Sequence, residues 1–106
     1  MQRHEKALQY ALQCLQNDYS KYVCSIYLYG SFSRKEHKYN SDVDLFVCVQ
    51  EDTPAKIIAR MRSAVISDDY TLPEVELKVS KSGLFSSSRQ FNENLQREAL
   101  LLWEKQ

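Results

Sequence analysis

Apolar residues at Leu8, Ala11, Leu12 and Leu15 recur at the three-and-four spacing of one helix face and predict an amphipathic helix over residues 3–18. Asn17, Asp18 and Ser20 follow with turn chemistry. Residues 23–29, VCSIYLY, are β-branched and aromatic with no polar alternation and stop at Gly30, the pattern of a strand buried on both faces. Residues 43–49, VDLFVCV, make a second such run, interrupted only by Asp44. The polar, basic stretch between them, SFSRKEHKYNS, begins as a short helix that Ser31 would cap. Thr53 and Pro54 then suit the cap and first position of a helix whose buried face is Ile57, Ile58, Met61, Ala64 and Val65.

From Glu74 to Val79 the chain alternates strictly, with Val75, Leu77 and Val79 on one face and Glu74, Glu76 and Lys78 on the other. Ser86–Ser88 open a predicted last helix running to about Lys105. Its inward stripe is Leu95, Ala99 and Leu102, and Leu100, Leu101 and Trp103 widen it into a candidate interface. The order helix, strand, short helix, strand, helix, strand, helix is an α/β plan of one small sheet with helices against it. No linker or repeat divides the chain, so residues 1–106 read as a single domain.

Composition narrows the function classes. Lys plus Arg and Asp plus Glu are equal at 14 each, so no bulk positive charge is available to hold duplex nucleic acid. Only 2 Gly and 2 Pro argue against a turn-rich β-sandwich. No stretch approaches the roughly 20 apolar residues of a membrane span, and the first residues lack the apolar run of a secretory signal. Cys14, Cys24 and Cys48 are widely spaced and odd in number, which fits neither a disulfide framework nor a zinc site. Three free thiols acting as apolar filler suit a reducing cytoplasm.

The informative chemistry lies at Asp42 and Asp44. Two positions apart on a strand, they face the same side with Cα atoms about 6–7 Å apart. Asp42 alone would pass for a turn residue, but Asp44 stands inside an apolar run with no basic neighbour. Two unpaired carboxylates against a core repel each other and resist desolvation, a conflict that a divalent cation removes. Oxygen-only ligation suits Mg²⁺ or Mn²⁺. A third carboxylate from a neighbouring strand, Glu76 before Glu74, would complete a site for two metals about 3.5–4 Å apart. Gly30 allows a sharp turn and close approach of a phosphate, and Ser31 offers a hydroxyl beside helix N–H groups.

Taken together, YLYGSFSRKEHKYNSDVDLFVCV (residues 27–49) resembles the signature of the minimal nucleotidyltransferases, the smallest members of the DNA polymerase beta superfamily, which read G-S-x-A-R-G…S-D-x-D-L. The resemblance implies a mixed sheet flanked by helices, ATP and Mg²⁺ as ligands, and transfer of a nucleoside monophosphate to a hydroxyl with release of pyrophosphate. It implies that Ser31 contacts the triphosphate, that Asp42 and Asp44 hold metal, and that Val75-Glu76-Leu77 supplies the third acid. Arg34, Lys35 and Lys38 are candidates to steady the triphosphate, or else a solvated loop balanced by Glu36. His37 reads as an exposed side chain, and Tyr39 as either a base-stacking or a surface residue. Two departures stand out: Ser33-Arg34-Lys35 replaces Ala-Arg-Gly, and Glu76 replaces the usual Asp.

Proteins of this kind commonly serve as antitoxins beside a HEPN-domain RNase toxin, some by adenylylating a toxin tyrosine. A domain this small leaves acceptor recognition to another chain, so a protein partner and a homo- or hetero-oligomer are expected. Two other functions compete: a binding module that neutralises its partner by contact, and the nucleotide-binding half of a small-molecule nucleotidyltransferase.

Overall fold

Two apolar strands, β1 (Val23–Tyr29) and β2 (Val43–Val49), pair antiparallel at the centre of the sheet, as their residue content demands. The computed structural model describes residues 3–81 and 99–105. Helix α1 (Arg3–Asp18) precedes β1, a single turn α2 (Gly30–Ser33) follows it, and α3 (Ala55–Ala64) links β2 to β3 (Val75–Ser80). β3 lies parallel to β2, and β4 (Leu100–Glu104) lies antiparallel to the other side of β1. The four-stranded order is β3-β2-β1-β4, a mixed sheet as expected.

The two sheet faces are unequal. Ile26, Leu28, Leu45, Val47 and Leu77 point to a main core closed by Ala7, Ala11 and Leu15 of α1 and by Met61 of α3, with Val65 just beyond α3. Phe46 and Cys48 centre a much smaller cluster on the opposite face, with half-buried Cys24, Tyr27 and Tyr29 around them. The expectation that β1 is buried on both faces is thus met on one side only. Burial pushes the Cys48 thiol up, which keeps it protonated filler.

Several local expectations are corrected. Residues 100–104 form a strand rather than the end of a helix; the rest of the expected helix, including Ser86–Ser88 and Leu95, lies outside the described residues. A continuous apolar run fits helix or strand equally by periodicity, and here the unpaired edge of β1 supplies the backbone partners. Leu102 and Trp103 pack on the main core, while Leu100 and Leu101 remain about half exposed. Ser31 lies inside α2, whose cap is Tyr29 with no side-chain bond. Thr53 is buried and donates its hydroxyl to Gln50 O at 2.6 Å instead of capping α3, a position Pro54 takes. The buried stripe of α1 is His4, Ala7, Ala11 and Leu15, so Leu8 and Leu12 fall on its flank.

The asymmetry predicts unequal sensitivity to truncation. Leu45→Ala, at the fully buried centre, should cost about 2–5 kcal/mol of unfolding free energy. Leu101→Ala on the half-exposed edge strand should cost less than about 1 kcal/mol. Urea unfolding midpoints measure both, and equal losses would contradict the assigned core.

Candidate active site

Because β1 runs against β2 while β3 runs with it, the end of β1 and the beginnings of β2 and β3 meet along one rim of the sheet. In that rim Tyr29 is in register with Asp44, and Asp44 with Glu76. Directly paired residues share a face, so these three side chains stand in a row on the thinly covered side, continuous with Tyr27, Phe46 and Lys78 one step further in. Strand alternation allowed either Glu74 or Glu76 as the third acid; the register places Glu76 opposite Asp44.

The row is electrostatically tense. Burial pushes the half-buried Asp44 carboxyl up to about 6, and the charges of Glu76 and then Asp42 and a hydrogen bond with Glu76 push the same way, against Lys78. Burial, then Asp44 and Glu76, raises the Tyr29 phenol well above its ordinary range. Lys78 reaches Glu76 at 4.0 Å, a loose and exposed pair that offsets little of this repulsion. Asp42 precedes the first residue of β2 and is exposed, yet its charge is felt at Asp44.

Gly30 is needed here for two reasons. Its φ of +82° is a left-handed conformation, and a Cβ at this position would overlap Asp44 Oδ2 and come within 3.1 Å of Asp44 Cγ. The glycine therefore lets the turn into α2 pass directly over the central carboxylate. Ser31 sits in that turn, and its carbonyl accepts from Glu36 N–H at 2.9 Å. Arg34 directs its Nε to the Glu36 carboxylate at 3.2 Å. Lys35 has φ +60°, so it takes up the left-handed position where the family pattern has glycine. Its side chain lines a cavity of about 530 Å³ with Leu8, Leu28, Phe32 and His37.

His37 differs from its expected exposed state. Its ring packs edge-on to Phe32 at 4.8 Å and lies 4.3 Å from the His4 ring, with Nδ1 buried. Tyr39 is 74% exposed and carries the Arg3 guanidinium over its ring at 3.8 Å. A second cavity, of about 430 Å³, opens beside the carboxylates and is lined by Asp42, Arg62, Ile66, Glu74 and Glu76 over a floor of Val75 and Leu77. Arg62 was not singled out in the sequence; it crosses from α3 to bond the Leu77 carbonyl at 3.3 Å.

Among the described residues no three His, Cys, Asp or Glu side chains come together in a group that could hold a metal ion. The donor chemistry nevertheless fits a hard divalent cation. Asp42, Asp44 and Glu76 offer only carboxylate oxygens, and burial first, then the charges of Glu76 and Asp42, disfavour ionisation of the central one, a penalty that a bound cation would offset.

The chain thus presents a small mixed sheet with carboxylates on adjoining strands beneath a glycine turn. The family described as polymerase beta, nucleotidyltransferase matches residues 12–106, and the chain belongs to that family. No curated protein sequence matches the chain. Among solved structures it is similar to one provisionally named a nucleotidyltransferase from Sulfolobus solfataricus (16% identity, TM-score 0.65, covering 97% of this chain and 82% of the other). A toxin–antitoxin crystallised with AMP-PNP is likewise similar (22% identity, TM-score 0.68, 96% and 74% covered). So is an aspartate-to-glutamate double mutant of the toxin–antitoxin MntA–HpeT (21% identity, TM-score 0.65, 90% and 71% covered).

The Asp44 environment sets a pH dependence. Its carboxyl titrates near 6 in the fold against an ordinary 3.8, so the folded state binds the extra proton and loses stability as pH rises from about 4 to about 6. Asp44→Asn removes that penalty. The variant should be more stable than the wild type by about 1 kcal/mol at pH 7.5, allowing for solvent screening, with no such advantage below pH 4. Urea midpoints at both pH values check the sign.

Proposed function

We propose that the chain is an adenylyltransferase that moves AMP from ATP to a tyrosine hydroxyl of a HEPN-type toxin and thereby acts as its antitoxin. The observation that carries this reading is the Asp44–Glu76 register under Gly30, which gathers acidic oxygens beneath a turn that a phosphate can approach. Asp42 and Asp44 would hold one Mg²⁺ or Mn²⁺, and Asp44 with Glu76 a second. Bound there, the ions would offset phosphate charge and acidify the acceptor hydroxyl.

The remaining work belongs to the chain. Ser31 and the N–H groups of the Gly30 turn orient the triphosphate, and Arg34 and Lys35 add positive charge from the following loop. The acceptor oxygen bonds to the α-phosphorus as the bond to the β-phosphate oxygen breaks, releasing pyrophosphate; the acceptor proton goes to water, or to Glu76 where that carboxylate serves as general base in place of holding metal. The 430 Å³ cavity beside Asp42 and Glu76 gives the acceptor side chain an approach along β3.

Similar structures support the biology. Two are toxin–antitoxins, one crystallised with AMP-PNP and one altered at two aspartates two positions apart, the spacing of Asp42 and Asp44. A further toxin–antitoxin structure, 22% identical, carries a tyrosine-to-alanine change. No helix among the described residues is long and apolar enough to cross a membrane. Three free thiols agree with a cytoplasmic site of action.

A second reading, a module that neutralises its partner by contact alone, is favoured by Glu76 and by Lys35 held in a glycine conformation. Asp42→Asn with Asp44→Asn separates the two. For an enzyme, pyrophosphate release and the mass gain of one AMP on the partner should fall about a hundredfold or more. Toxicity should then return in cells expressing both proteins. Retained neutralisation would establish the contact reading.

Lys35→Gly tests the loop separately. Relief of the left-handed strain should raise stability by about 1 kcal/mol. Loss of the ammonium should raise the KM for ATP several-fold, read from initial rates of pyrophosphate release.

A further inference from the structure

We infer that Arg3 and His4, at the start of α1, are positioning residues that clamp the loop delivering Asp42 to the loop before β3. Their catalytic importance rests on the nucleotidyl-transfer reading; the clamp itself rests on geometry alone. His4 is 4% exposed and occupies the first place of a stripe otherwise made of Ala7, Ala11 and Leu15. Its Nε2–H donates to the Ser41 carbonyl at 2.8 Å. An apolar side chain would fill the same space but leave that carbonyl without this donor.

Arg3 extends the same contact to a second loop. Its Nη1 donates to the Tyr39 carbonyl at 2.8 Å, its Nε donates to the Thr71 carbonyl, and its guanidinium covers the Tyr39 ring. One planar cation therefore ties the loop before β2 to the loop before β3. Both loops are also braced internally. Ser41 Oγ accepts from Lys38 N–H at 2.9 Å, and Asp69 Oδ1 accepts from Thr71 N–H at 2.9 Å and from its hydroxyl at 2.6 Å.

The clamp matters because the ladder does not finish the site. Asp44 and Glu76 lie within paired strands, and their spacing is set by the β2–β3 register. Asp42 precedes β2, immediately after the carbonyl that His4 holds and one residue before Val43 N–H bonds Glu74 O at 2.9 Å. Its carboxylate is therefore placed by the loop, and the loop by α1. His4 and Arg3 touch none of the acidic groups, so they act through backbone position.

Amide hydrogen exchange on the full chain tests the clamp without nucleotide. The amides of Ser41, Val43 and Leu72 are hydrogen bonded in these loops and report on them. In His4→Leu and Arg3→Ala their protection should fall about tenfold or more, with β1 and the interior of β2 unchanged. His4→Gln, which keeps an N–H donor, should restore Ser41 and Val43. Leu12→Ala, a destabilised control on the same helix, should lower protection generally rather than in the loops. In parallel, half-saturation by Mn²⁺ in the presence of ATP should rise about tenfold in His4→Leu and Arg3→Ala but not in Leu12→Ala. Unchanged loop protection, or a loss spread as in Leu12→Ala, overturns the clamp whatever the activity. Loop-confined loss in a protein whose wild type takes up no Mn²⁺–ATP supports the clamp and sinks the nucleotidyl-transfer reading.

Discussion

Asp44 lies across a parallel ladder from Glu76, half withdrawn from water, and the peptide hydrogen bonds of β2 and β3 hold the two residues side by side. The same bonds that assemble the core impose this repulsion, because the register that buries Leu45 beside Leu77 also sets acid against acid one residue earlier. Sliding β3 by one residue would relieve the charge but turn Val75 and Leu77 outward. Core packing therefore holds the acids in place, and the raised Asp44 carboxyl, pushed up by burial and then by Glu76, marks how poorly a charge fits there.

The unequal sheet faces explain why the acids can be tolerated. One face carries the main core beneath α1 and α3, and the other holds only the Phe46 and Cys48 cluster. Carboxylates at the rim of the thinner face keep contact with water, as the exposed side chain of Glu76 shows. Gly30 completes the arrangement by bringing the chain across Asp44 without a side chain. The same close approach that would admit a phosphate makes any larger residue at that position untenable.

The loop after α2 departs from its family in residue type but not in shape. Lys35 adopts the left-handed conformation that glycine takes freely, so the turn survives at the cost of local strain, and the ammonium is an addition to it. On the opposite flank Arg34 is paired with the exposed Glu36. Positive charge after α2 is thus carried by a loop whose side chains remain at the surface, with Lys35 beside Leu8, Leu28 and Phe32 rather than in the cavity that Asp42 and Glu76 line.

Much of this was legible in one dimension. Period-two and period-3.6 patterns, with Gly30 as a stop, gave β1, β2, β3 and both longer helices nearly to the residue, and Asp44 stood out because an acid interrupted an apolar run. Two things were not legible. The apolar run at Leu100–Glu104 carries no period that separates helix from strand, and only the open edge of β1 decides it. His4 and Arg3 look like ordinary polar residues at a helix start, because their partners are backbone carbonyls 37 and 68 residues away. Local sequence determines which segments become helix or strand and which side chains carry charge; distances between segments come from strand pairing and packing, which exist only once the chain has closed on itself.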